Sequence, residues 1–159
     1  MSMKVEFVNP FLEAASEVLD SELGGEALRG TLRLQKTAVT TDEVTAVVGV
    51  TGTLQGLVLY SMSQATALRI VSRVMGQEFE EFDAIAQSGI GELGNVITGR
   101  AGVLLSEAGY PSNITPPALV LGEGTMITTL DLVRLVMPLE TDLGHLEIQV
   151  VLKALKAVA

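Results

Sequence analysis

The chain has 159 residues, 48% of them apolar, and carries a formal charge of −9 from 10 basic and 19 acidic side chains. That length is enough for one domain with a sizeable core, and the acidic balance disfavours nucleic acid and anionic membrane as partners. The absence of cysteine removes disulfides, thiol catalysis and cysteine-based zinc sites together.

The start, MSMKVEFVNP, does not read as a signal peptide, and no apolar run nears the roughly 20 residues that span a bilayer. A cytoplasmic protein is expected. Val8 to Leu23 reads as a first helix, with Asn9 as its N-cap, Pro10 at its first position and Gly24-Gly25 as its stop. Phe11, Ala15, Val18 and Leu19 form its apolar stripe.

From Arg29 to Met62 the period changes to two. Leu32 and Leu34 alternate with polar neighbours, Thr37 to Glu43 covers a turn, Val44 to Thr51 is a β-branched run expected to be central, and Leu54 to Met62 completes a hairpin. Gly49, Gly52 and Gly56 are turn or strand-crossing positions. Ser63 is the expected cap of a second helix with the stripe Ala67, Ile70, Val71 and Val74, stopped by Gly76.

A longer helical stretch runs from Asp83 to Gly109. Three strand-like runs follow: Ile114 to Leu121, Thr125 to Leu139, and Leu146 to Leu155. The order predicts an α+β fold of two helix–three-strand halves. They would form a mostly antiparallel six-stranded sheet with helices packed on it, as one domain over residues 1–159.

The stretch Asp83–Gly109 carries six glycines. Each interior one weakens a helix by roughly 0.5–1 kcal/mol relative to alanine. At about 100° per residue, Ala86, Ile90, Leu93, Ile97, Ala101, Leu104 and Ala108 fall in one core-facing stripe. Glu92 and Asn95 are neighbours pointing about 140–160° away from it. Around them lie Ser88, Gly91, Gly99, Gly102 and Ser106, a track of small residues along which another macromolecule could approach. Gly89 and Gly94 lie off that track. By spacing alone, a solvated face, or glycines that admit another element of the same chain, would look the same.

Other polar positions carry less. His145 sits at a strand start with no partner constellation and reads as a surface turn residue. Glu140-Thr-Asp142 reads as a solvated turn in preference to a cation site. Pro116-Pro117 sets the start of a strand.

The motif Glu92-Leu93-Gly94-Asn95, inside IGELGNVITG, resembles the Glu-x-x-Asn signature of the CheC-like chemotaxis phosphatase superfamily (CheC, CheX and FliY). FVNPFLEA, VVGVTGTLQGLVLYS, VMG and PPALVLGEG extend the likeness over nearly the whole chain, and within the superfamily it is to the CheX members. CheC-like chains can carry two such motifs. Here the first helix offers only Glu13 with Ser16 and Glu17 with Asp20, so a single site is expected.

The resemblance implies a phosphatase acting on the aspartyl phosphate of a CheY-like receiver. Asn95 would orient the attacking water and Glu92 would dock on the receiver's lysine, with Ser88, Gly91, Gly99 and Gly102 in contact with that partner. The chain would need no cofactor of its own; Mg²⁺ would belong to the receiver. A homodimer through the sheet is also implied. A non-catalytic docking module using the same helix face is the alternative.

Overall fold

The structure is a computed structural model and describes residues 5–25, 27–36, 42–125, 127 and 133–155. Its elements, in order, are α1 (Val5–Leu23), β1 (Leu28–Arg29), β2 (Arg33–Gln35), β3 (Val44–Gly52), β4 (Leu54–Met62), α2 (Gln64–Met75), α3 (Ala84–Glu107), β5 (Ser112–Ile114), β6 (Ala118–Leu121), β7 (Arg134–Thr141) and β8 (Gly144–Ala154). All the strands belong to one antiparallel sheet in the order β1-β7-β8-β4-β3-β5; β2 also pairs with β7, and β6 with β3. The fold is α+β.

Among the described residues, eight strands stand where six were expected. The run from Arg29 is split between β1 and β2, where Gly30 packs over Pro138 of β7 and donates to its carbonyl at 2.8 Å. The run from Ile114 is split by Thr115-Pro116-Pro117, because proline supplies no ladder donor. Both resulting pairs of short strands flank the longer ones. β3, expected to be central, lies one position in from an edge; β4 and β8 form the middle of the sheet. Part of the turn expected at 37–43 and part of the run expected at 125–139 fall outside the described residues.

The first helix begins earlier than its sequence suggested. Val5–Leu23 is helical and Pro10 lies inside it, not at its first position. Phe7 and Val8 are buried, and Phe7 meets Tyr110 edge-on at 5.1 Å between ring centroids. Burying such side chains is worth about 1.5–3 kcal/mol each, which offsets the roughly 3 kcal/mol that an interior proline costs.

The other two helices begin as expected. Ser63 Oγ accepts from the Thr66 N–H at 3.1 Å, and Asp83 accepts from the Ala86 N–H at 2.9 Å. Gly76 ends α2 in the left-handed conformation, at φ +67°. Arg73, in the last turn of α2, donates to the Leu23 carbonyl at 2.8 Å and so ties α2 to the C-terminus of α1.

The helices pack with β3, β4 and β8 around one core. Val44, Ala46, Val48 and Val50 of β3, Val58, Tyr60 and Met62 of β4, and Leu146, Ile148 and Val150 of β8 share it with all three helices. These strand positions alternate, as a pleated strand requires of its core face. α3 packs against α1 and α2 and over β3, and so presents its remaining side to solvent.

Candidate active site on the long helix

The buried residues of α3 are Ala86, Ile90, Gly91, Leu93, Gly94, Ile97, Thr98, Ala101 and Leu105. They cover roughly 160° of the helix, much more than a single stripe. Leu105 takes the deep place expected for Leu104, and Ala108 is exposed beyond the last turn. The reason is a winding seam: from Ile97 the buried positions step by four, and each such step advances the face by about 40°.

Glu92 and Asn95 project from the opposite side. Glu92 is exposed and Asn95 half-buried. Neither side chain makes a hydrogen bond or ion pair with another described residue. α1 differs: Glu17 there is paired with Arg100 at 2.7 Å, which holds its carboxyl below the ordinary range, and Ser16 accepts from Arg29 at 3.3 Å. A carboxylate and an amide left without internal partners, three residues apart on one helix face, can meet groups of another molecule.

The small residues divide into distinct roles. Ser88 is exposed beside Glu92. A Cβ on Gly102 would meet nothing within 4 Å, and one on Gly99 only Ile114 at 3.9 Å, so both leave the helix backbone open. Gly91 is buried, and a Cβ there would lie 3.5 Å from Pro117. It admits the chain ahead of β6.

The two glycines off the track are also explained by packing. A Cβ on Gly89 would lie 2.5 Å from Val71 Cγ2, so this glycine sets the approach of α2 to α3. A Cβ on Gly94 would lie 3.1 Å from the ring of Tyr60.

That ring belongs to a relay reaching the Glu92–Asn95 turn from below. Tyr60 O–H donates to Thr98 Oγ1 at 2.7 Å, and Thr98 donates to the Gly94 carbonyl at 2.7 Å. Tyr60 is wholly buried, and its phenol is pushed well above the ordinary value by desolvation, so it remains a donor. The backbone between the two candidate side chains is thus fixed to β4.

Two depressions border Glu92. Where α1, α2 and α3 meet there is an apolar groove of about 510 Å³, lined by Val18, Val74, Met75, Ile85, Leu93 and Val96. Toward β6 lies a second, of about 510 Å³, lined among others by Gln87, Ser88, Gly91, Pro117 and Leu119. Glu92 and Ser88 border both and form the ridge between them. Among the described residues no group of three or more histidine, aspartate or glutamate side chains could hold a metal ion. No helix there is long and apolar enough to cross a membrane.

The family model for chemotaxis phosphatase CheX matches residues 44–140, which include the whole of α3. The chain belongs to the CheX family. A CheX relative, the CheY-P phosphatase CheX of Thermotoga maritima, is 34% identical over 126 residues, covering 79% of this chain and 81% of the relative. A CheC-like superfamily protein from Shewanella sp. PV-4 superposes with a TM-score of 0.85 at 28% identity, covering 96% of this chain and all of that one. CheX of Borrelia burgdorferi, solved in complex with CheY, BeF3 and Mg2+, superposes with a TM-score of 0.78 at 28% identity, covering 94% of this chain and 99% of that one.

The sequence reading of this CheX-family chain missed the apolar residues on the same outward face. Ile85, Val96 and Val103 are 56%, 41% and 49% exposed. All three fall within about 40° of Glu92 around the helix, a position that the angular projection already contained.

Proposed function

We propose that the chain, as one domain over residues 1–159, is a phosphatase that hydrolyses the aspartyl phosphate of a CheY-like receiver. Asn95 orients the attacking water, and Glu92 docks on the receiver's lysine. The observation that carries this reading is the Glu92–Asn95 pair, without partners among the described residues and anchored from beneath by Tyr60 and Thr98. Membership in the CheX family, the Thermotoga relative named for CheY-P and the Borrelia complex with CheY support the substrate class.

The chemistry suits these residues. Phosphoryl transfer asks the protein mainly for positioning and charge complementarity. The Asn95 amide accepts from water through its oxygen and donates through its nitrogen, and it brings no charge toward the phosphoryl oxygens. A carboxylate facing a lysine adds complementarity across the interface. Mg²⁺ stays with the receiver. Ser88, Gly99 and Gly102 take the receiver's surface, and Gly91 acts from beneath by letting the chain before β6 close against α3.

The test is phosphate lifetime on receivers of the same genome. Asn95→Ala should slow added dephosphorylation by roughly two orders of magnitude, the scale of lost positioning, while the fold survives. A variant as fast as wild type would remove Asn95 from the mechanism. Association without any change in lifetime would favour a docking module.

The reading extends to assembly and origin. We infer a cytoplasmic homodimer paired through the sheet edge at β1 and β2, where Leu28, Leu32 and Leu34 are exposed. The sheet order supports two related halves: exchanging β1 and β2 with β5 and β6, β3 with β7, and β4 with β8 returns the same order reversed.

A further inference from the structure

We infer that the apolar groove between α1, α2 and α3 is a second anchor for the receiver. It seats an apolar side chain that the receiver carries beside its phosphorylated site, and it sets affinity and receiver choice separately from the chemistry. This rests on the proposed function, because the groove is defined relative to Glu92.

Four observations carry it. First, the groove is continuous with the site: Glu92 and Ser88 belong to its rim. A receiver whose lysine reaches Glu92 therefore stands at the edge of the groove. Second, exposed apolar side chains are grouped along it. Ile85 is 56%, Met75 44% and Val96 41% exposed, and grouped exposed apolar side chains mark interaction surfaces.

Third, the arrangement is that of an interface centre. Val18, Val74 and Leu93 form an apolar floor, with Glu22, Ser88 and Glu92 as its polar members. A small-molecule site would need polar groups converging on the ligand to orient it. Met75 can repack around differing side chains, which suits a surface that must accept one receiver and discriminate among others.

Fourth, charge decides between a receiver and a second copy of this chain. In a symmetric contact over the groove, Glu22 and Glu92 of one protomer would face the same two carboxylates of its partner, in a chain already at −9. Like charges brought together at an interface oppose association. A partner that brings a lysine to the rim and an apolar side chain to the floor satisfies both parts of the site.

The test separates docking from chemistry. Ile85→Ser and Val96→Ser alter exposed positions and leave the core intact. Binding to a beryllofluoride-activated receiver and steady-state dephosphorylation are measured for each. Each variant should weaken binding and raise KM about tenfold, with kcat within about twofold of wild type.

Asn95→Ala should do the reverse, keeping binding and losing kcat. Leu121→Ser, at an exposed apolar position on β6, should change neither. Unchanged affinity in both groove variants while wild type remains active would overturn the anchor and leave the phosphatase reading standing. So would a fall in native mass in those variants, which would assign the groove to self-association. A wild type that neither binds nor dephosphorylates any receiver overturns the phosphatase reading, and the anchor with it.

Discussion

Replacing the α3 glycines one at a time by alanine should give stability changes of opposite sign, according to what each added methyl meets. In an open helix the exchange stabilises by about 0.5–1 kcal/mol. Gly102 is that case, since nothing lies within 4 Å of its would-be Cβ. At Gly89 the methyl would stand 2.5 Å from Val71 Cγ2. Val71 is 1% exposed and, being β-branched, has little rotamer freedom in a helix. Overpacking of this kind costs about 1–3 kcal/mol, so Gly89→Ala should be destabilising by about 0.5–2 kcal/mol net.

Gly94 lies between these cases. Its methyl would stand 3.1 Å from a Tyr60 ring that is held in place by Thr98, so the change should be near neutral to mildly destabilising. Urea unfolding with a slope of about 2 kcal/mol/M would move the midpoint about 0.4 M up for Gly102→Ala and up to about 1 M down for Gly89→Ala. The reasoning fails if Gly89→Ala stabilises as much as Gly102→Ala. The double variant Gly89→Ala/Val71→Ala should be less destabilised than the two single changes summed, because the same methyl group is removed from the clash. Gly102→Ala carries a second expectation. It should slow receiver dephosphorylation while raising stability, because its methyl stands on the face assigned to the receiver.

Two further outcomes concern assembly and pH. Light scattering at micromolar concentration should give the mass of two chains, and Leu34→Lys on the open edge should reduce it to one; a wild-type mass of one chain would refute the dimer. His145 donates to Glu140 and to Glu147 (3.4 Å), and although burial opposes its charge, these hydrogen bonds and the two carboxylate charges raise its pKa above the ordinary value. Its stabilisation is therefore fully present below about pH 6.5 and is lost as pH rises through the folded pKa. Unfolding midpoints of wild type should fall across that window relative to His145→Gln, and parallel curves for the two proteins would refute the coupling.

Much of this architecture was legible because its signals are local. Ser63 sits where a cap must sit, Gly76 where a left-handed stop must, and the hairpin of β3 and β4 turns at Gly52 with φ +109°. Glu92 and Asn95 could be placed on the outward face of α3 because periodicity separates that face from the core. What was not legible depends on distant partners. Pro10 read as a helix start until Phe7 was found packed on Tyr110, 103 positions away in the chain. Gly89 and Gly94 had no assigned purpose because Val71 and Tyr60, which require them, come from α2 and β4.

The glycines of α3 then bear on how one helix can be both a core element and a site. A helix with a stable sequence of its own would present long side chains on its outward face and bulky ones beneath. Here the intrinsic propensity is low, and neighbours supply the rigidity instead: α2 closes on Gly89, the chain before β6 on Gly91, and Tyr60 with Thr98 on Gly94. Each of these three contacts lies within one turn of Glu92, whereas Gly99 and Gly102, further along, touch almost nothing. The end of the helix that carries the Glu–Asn pair is therefore held from three directions, and the remainder is left smooth. An incoming phosphorylated receiver would meet two side chains on a backbone already fixed in place, so that only the side chains remain to be ordered, which lowers the cost of positioning for hydrolysis.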